Sequence, residues 1–124
     1  MDQIYQEELM EIFKNPAHKG LISDANAQTS ERNPSCGDNI SLQLKIANGI
    51  VEKAAFDGSS CAVSTISAEK LLSYIEGKSV KEVKALRQED LLQILGITVS
   101  MTRIKCATLV LTGLKRALDN YESK

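Results

Sequence analysis

The chain has 124 residues, 43% of them hydrophobic and 25% charged, with 15 Lys and Arg against 16 Asp and Glu. That length suits one domain with one core, and the composition is that of an ordinary soluble globular protein rather than a disordered one. A net charge of −1 lacks the clustered basic excess that nucleic acid or an anionic membrane would demand, so neither is expected as a partner.

The N-terminus, Met1 to Glu8, has neither the basic start nor the apolar run of a signal peptide, and no stretch is long and apolar enough to span a bilayer. The expected compartment is the cytosol. Three cysteines cannot all pair internally, and in a reducing compartment dispersed cysteines act as ligands, nucleophiles or core residues more often than as disulfides.

In chain order, Tyr5, Leu9, Ile12 and Phe13 recur at helical spacing, and Pro16 and Gly20 close this amphipathic first helix. Between Ser23 and Ser35, the alternation of Ala25, Ala27 and Thr29 allows an edge strand before Asn33-Pro34. Ile40, Leu42, Leu44 and Ile46 then alternate with polar residues, the period of a half-buried strand. Asn48-Gly49 suits a type I′ turn, so residues 40–56 form a hairpin.

After Asp57-Gly58-Ser59-Ser60 a second helix starts near Cys61 and carries Ile66, Leu71, Leu72 and Ile75 up to Gly77. Ser79 and Glu82 fit a capping box for a third helix, and Gln88 to Leu95 form a short fourth ending at Gly96. In the last helix, after Ser100, Ile104, Ala107, Leu111, Leu114 and Leu118 make a stripe that packs across the sheet. The expected fold class is α+β: a small three-stranded antiparallel sheet covered by four to five helices in a single domain, residues 1–124.

Chemistry centres on the cysteines. Cys36 lies in Asn33-Pro34-Ser35-Cys36-Gly37-Asp38, a turn in which Gly37 permits close approach of the backbone and Asp38 offers an oxygen two residues away. Cys61 stands at a helix start, where unpaired N–H groups favour thiolate. Cys106, between Lys105 and Ala107, lies on the flank of the last helix's stripe. An incidental turn cysteine and small buried hydrophobes are equally available readings of these residues. His18, the only histidine, reads as an exposed loop residue. Ser59, Ser60 and Ser64 fit a turn and a helix start better than they fit nucleophiles.

Together these segments resemble the U-type iron-sulfur assembly scaffolds, the family of IscU, SufU and the N-terminal domain of NifU. The resemblance runs through Phe13-Lys14-Asn15-Pro16, Asn33 to Asp38, Gly58-Ser59-Ser60-Cys61-Ala62-Val63-Ser64 and Arg103-Ile104-Lys105-Cys106-Ala107-Thr108-Leu109. It implies that Cys36, Asp38, Cys61 and Cys106 hold a transient [2Fe-2S] cluster or Zn2+, with Cys106 and Cys61 as sulfur acceptors. The implied partners are a cysteine desulfurase as donor and apo iron-sulfur proteins or carrier proteins as recipients, with a homodimer as an allowed assembly. Thiolates suit both metals, and one oxygen ligand keeps a cluster exchangeable.

Two branches are similar to different parts of the chain. Lys105, where IscU has histidine, and Asn-Pro-x-Cys-Gly-Asp resemble SufU, for which the implied role is zinc-dependent sulfur transfer, a sulfurtransferase-like activity. The insertion that SufU carries between its second and third cysteines is missing. Val99-Ser100-Met101-Thr102-Arg103 replaces the Leu-Pro-Pro-Val-Lys stretch through which IscU engages a dedicated Hsp70, so that partner is not implied.

Overall fold

The computed structural model describes residues 10–33, 38–58, 62–96 and 104–122, with only the backbone described at Asn33, Asp38, Ala62, Val63 and Cys106. Residues 10–14 are helical and are called α1. Strands β1 (Ala27–Asn33), β2 (Asp38–Ala47) and β3 (Ile50–Asp57) precede α2 (Ala62–Ile75), α3 (Val80–Lys84), α4 (Gln88–Leu95) and α5 (Ile104–Glu122).

The three strands form an antiparallel sheet in the order β1-β2-β3. β2 lies in the middle because its apolar alternation gives it a full core face: Ile40, Leu42, Leu44 and Ile46 are all buried. Asn48 and Gly49 both have positive φ, 56° and 74°, as the expected type I′ turn requires. A register shift between Lys45 and Ile46 bends the hairpin close to this turn.

The expected hairpin of residues 40–56 is longer at both ends. β2 starts at Asp38, which pairs with Asn33, and β3 runs to Asp57, which pairs with Ser41. Pairing of polar residues through the backbone leaves no hydrophobic alternation, so those ends carry no signal in the sequence.

The helices cover one face of the sheet. α2 contributes Ala68, Leu71, Leu72 and Ile75, and α5 contributes Ala107, Val110, Leu111, Leu114, Ala117 and Leu118 to one core cluster with the strands. α3 starts at the expected cap, where Ser79 Oγ accepts a hydrogen bond from Glu82 N–H at 3.1 Å. α4 ends on Gly96 in the left-handed region, φ 67°. α5 crosses β1 and β2 closely at Gly113, where a β-carbon would stand 3.0 Å from Glu31 Cγ and 3.2 Å from Leu42 Cδ1.

Residues 15–26 form a strap that runs from the outer edge of β3 to the β1 side. At the outer edge of β3, Gly20 N–H donates to Phe56 O at 2.8 Å and Phe56 N–H donates to His18 O at 2.9 Å. Ile22 N–H then reaches Gln43 Oε1 at 2.7 Å, and Gln43 points away from the core. Asn26 finally joins the β1 side, exchanging side-chain hydrogen bonds with Ile46 N–H and O.

Candidate metal and sulfur site

The expected ligand set is Cys36, Asp38, Cys61 and Cys106. Cys36 and Cys61 lie outside the described residues, as do the side chains of Asp38 and Cys106. The backbone places Asp38 as the first residue of β2 and Cys106 in the first turn of α5, while α2 opens at Ala62, one residue after Cys61. Among the described residues, no group of three or more His, Cys, Asp or Glu is arranged to hold a metal ion.

The described elements fix a frame. Gly58 closes against Asn39: its φ is 128°, and a β-carbon there would lie 2.5 Å from Asn39 O. The exit of β3, three residues before Cys61, therefore touches the entry of β2, one residue after Asp38. Only glycine permits this approach, since that φ is open to it alone and the contact is with backbone.

Both long helices point their first turns toward this end of the sheet. The C-terminal end of α2 is held at the hairpin end, where Gly77 N–H donates to Val51 O at 2.8 Å. α3 starts beside the hairpin turn, with Val80 N–H donating to Gly49 O at 2.8 Å. Lys84 of α3 reaches Asp119 at 3.3 Å and Glu122 at 2.6 Å, which draws the last turns of α5 the same way. The N-termini of α2 and α5 are thus directed to the end where β1 passes into β2. The positive ends of two helix dipoles lower the cost of anionic groups there.

The packing of α2 explains a feature that the sequence reading missed. Ser64, Thr65, Ser67 and Glu69 are buried along with its apolar residues: Ser64 and Ser67 share the core-facing side of the helix with Leu71 and Ile75, whereas Glu69 faces the N-terminal segment. Glu69 and Glu76 stand seven residues apart, hence on one helix face. That spacing is the signal that could have marked them.

They hold His18, and the expectation of an exposed loop histidine is corrected here. Its side chain is 15% exposed. Nδ1 meets Glu69 Oε2, Nε2 lies 2.7 Å from Glu76 Oε1, and the His18 N–H donates to Glu69 Oε1 at 2.7 Å. Pairing of residues 18–20 with the β3 edge puts the ring over α2, a long-range consequence invisible in the local Pro16 to Gly20 pattern. A second unexpected ion pair joins buried Glu31 of β1 to Arg116 of α5 at 2.8 Å.

The family described as the NifU-like N terminal domain matches residues 4–124. The chain is 30% identical over 139 aligned positions to the zinc-dependent sulfurtransferase SufU of Bacillus subtilis, covering 98% of this chain and 94% of that one. It is 28% identical over 124 positions to the iron-sulfur cluster assembly scaffold protein IscU of Buchnera aphidicola, covering 97% and 95%. A crystal structure of a hypothetical protein superposes with a TM-score of 0.79 at 29% identity, covering 96% of this chain and 99% of that one. Since that family match spans residues 4–124 and the relatives and the solved structure cover the chain almost end to end, the chain belongs to the NifU-like N-terminal domain family.

Proposed function

We propose that this protein is an iron-sulfur cluster assembly scaffold that receives sulfur from a cysteine desulfurase, builds a transient [2Fe-2S] cluster and passes it to apoproteins or carriers. The observation that supports this most is the convergence of the β2 entry, the β3 exit and the first turns of α2 and α5 on one end of the sheet. Asp38 opens β2 and Cys106 lies in the first turn of α5, while in sequence Cys61 immediately precedes α2 and Cys36 stands two residues before Asp38. The kinship with IscU of Buchnera aphidicola supports the same reading.

The donor set fits the cargo. Three thiolates and one carboxylate suit iron or zinc, and the oxygen donor binds soft iron-sulfide less firmly than a fourth thiolate would. Sulfur arrival needs a thiolate: Cys106 or Cys61 attacks the outer sulfur of the desulfurase persulfide, the S–S bond of that persulfide breaks, and the desulfurase thiolate leaves. Reduction of the sulfane sulfur to sulfide draws electrons from iron(II) and an external donor. The helix N-termini favour the thiolate form on which the attack depends.

A second reading is favoured by the kinship with SufU and by Lys105 ahead of Cys106. In it the same four residues hold Zn2+, and the protein hands persulfide sulfur onward without building a cluster. The deciding experiment is anaerobic purification followed by incubation with iron(II), cysteine and the cognate desulfurase. Acid-labile sulfide in step with iron, together with thiolate-to-iron charge-transfer absorption, establishes assembly. Retained zinc with a stimulated desulfurase and no sulfide establishes transfer. A desulfurase that is unaffected, with neither metal retained, overturns both.

A further inference from the structure

His18 sits where a proton decides whether the N-terminal segment is attached. Glu69 meets Nδ1 and Glu76 meets Nε2. A neutral imidazole carries a single N–H, so it can donate to one of these carboxylates and must turn a lone pair toward the other. Only the imidazolium donates to both. The carboxylates are themselves fixed: Glu69 also accepts the His18 N–H at 2.7 Å, and Glu76 Oε2 accepts the Ala54 N–H at 3.1 Å on the outer edge of β3.

Among the described residues the charged groups facing the ring are these two, Glu69 on α2 and Glu76 directly after its last residue. β3 meets this stretch of chain through backbone groups, and Lys19, the next residue, is exposed. The attached segment also walls a groove. Ile12 of α1 lines it together with Glu69, Lys70, Ser73 and Tyr74 of α2 and Ile94 of α4. Glu69 is thus at once a partner of His18 and a part of this groove.

We propose that His18 is a proton-dependent clasp that holds α1 and residues 15–20 on α2 and the β3 edge, and that its deprotonation releases them and opens the α2–α4 groove. Burial of the ring acts against its charge, but hydrogen bonds and charges from Glu76 and Glu69 outweigh this and leave its pKa above the ordinary 6.5. The folded pKa is raised, so the clasp's contribution is complete below the unfolded value. It is lost as pH rises through the folded value. The strap beyond Gly20 keeps its anchors at Gln43 and Ile46, so release is confined to the N-terminal part.

As the only histidine, His18 gives a single imidazole signal in nuclear magnetic resonance. The protein is titrated from about pH 6 to about pH 10, a span chosen to bracket a raised histidine. Protection factors of the Gly20, Phe56 and Leu91 amides, corrected for intrinsic exchange, are followed in parallel. The expected result is a midpoint above 6.5, with Gly20 and Phe56 losing protection through that midpoint and Leu91 retaining it. The loss is about tenfold for each unit by which the folded midpoint exceeds the unfolded one. In Glu76→Gln the midpoint falls, and in His18→Gln the two amides lose their pH dependence. A midpoint at or below 6.5 in the unsubstituted protein, or unchanged protection across it, overturns the proposal.

Discussion

Replacing Gly58 by alanine tests whether the β2 entry and β3 exit are as tightly joined as described. The new methyl group meets two penalties. Holding a residue with a side chain at φ 128° costs about 1–3 kcal/mol. A β-carbon 2.5 Å from Asn39 O cannot be relieved by a rotamer change, because the obstacle is backbone, and such overpacking adds about 1–3 kcal/mol. Reduced freedom of the unfolded chain returns about 0.4–1 kcal/mol. The net loss is about 3 kcal/mol, a large part of the roughly 5–15 kcal/mol that stabilises a typical domain. With a urea slope of about 1.5 kcal/mol/M, the unfolding midpoint drops by about 2 M. Gly49→Ala is the control: its φ is 74° and nothing lies within 4 Å of the added methyl, so only the strain of a left-handed residue, about 1 kcal/mol, applies. If the two variants unfold at the same urea concentration, the close approach of Gly58 to Asn39 is wrong.

Other substitutions probe the site and its support. Asp38→Ala is expected to lengthen the lifetime of an assembled cluster against a chelator, as read by decay of visible absorption; an unchanged lifetime removes Asp38 from the exchangeable position. Leu42→Ala, at a fully buried residue, should cost about 2–5 kcal/mol in urea unfolding, and a loss under about 1 kcal/mol would mean that the core between β2 and α5 is not closed. Arg116→Ala leaves Glu31, whose side chain is 8% exposed, without its cation. Because Arg116 itself is 64% exposed, solvent screening limits the loss to about 1 kcal/mol, read from the same unfolding curve at low and high salt.

The fold was legible wherever apolar residues marked a period. Ile40 to Ile46 gave β2 its face, Asn48-Gly49 its turn, Ser79 and Glu82 the start of α3, and Leu111, Leu114 and Leu118 the core side of α5. Strand ends held by polar pairs, such as Asn33 with Asp38, were not legible, since backbone pairing leaves no side-chain pattern. The candidate ligands were visible as residue types with a family spacing, which periodicity could not have provided. The His18, Glu69 and Glu76 cluster joins residues more than fifty positions apart, and no local rule connects a loop histidine to a helix made that much later in the chain.

That separation also sets an order of events during synthesis. The strap leaves the ribosome before its edge partner Phe56 and its clasp partners Glu69 and Glu76. Until α2 exists, His18 lacks both of its carboxylate partners, and the strap is held only by its contacts to the hairpin. Securing the outer edge of β3 is therefore completed only after α2 is made, by a segment that leaves the ribosome before the edge itself.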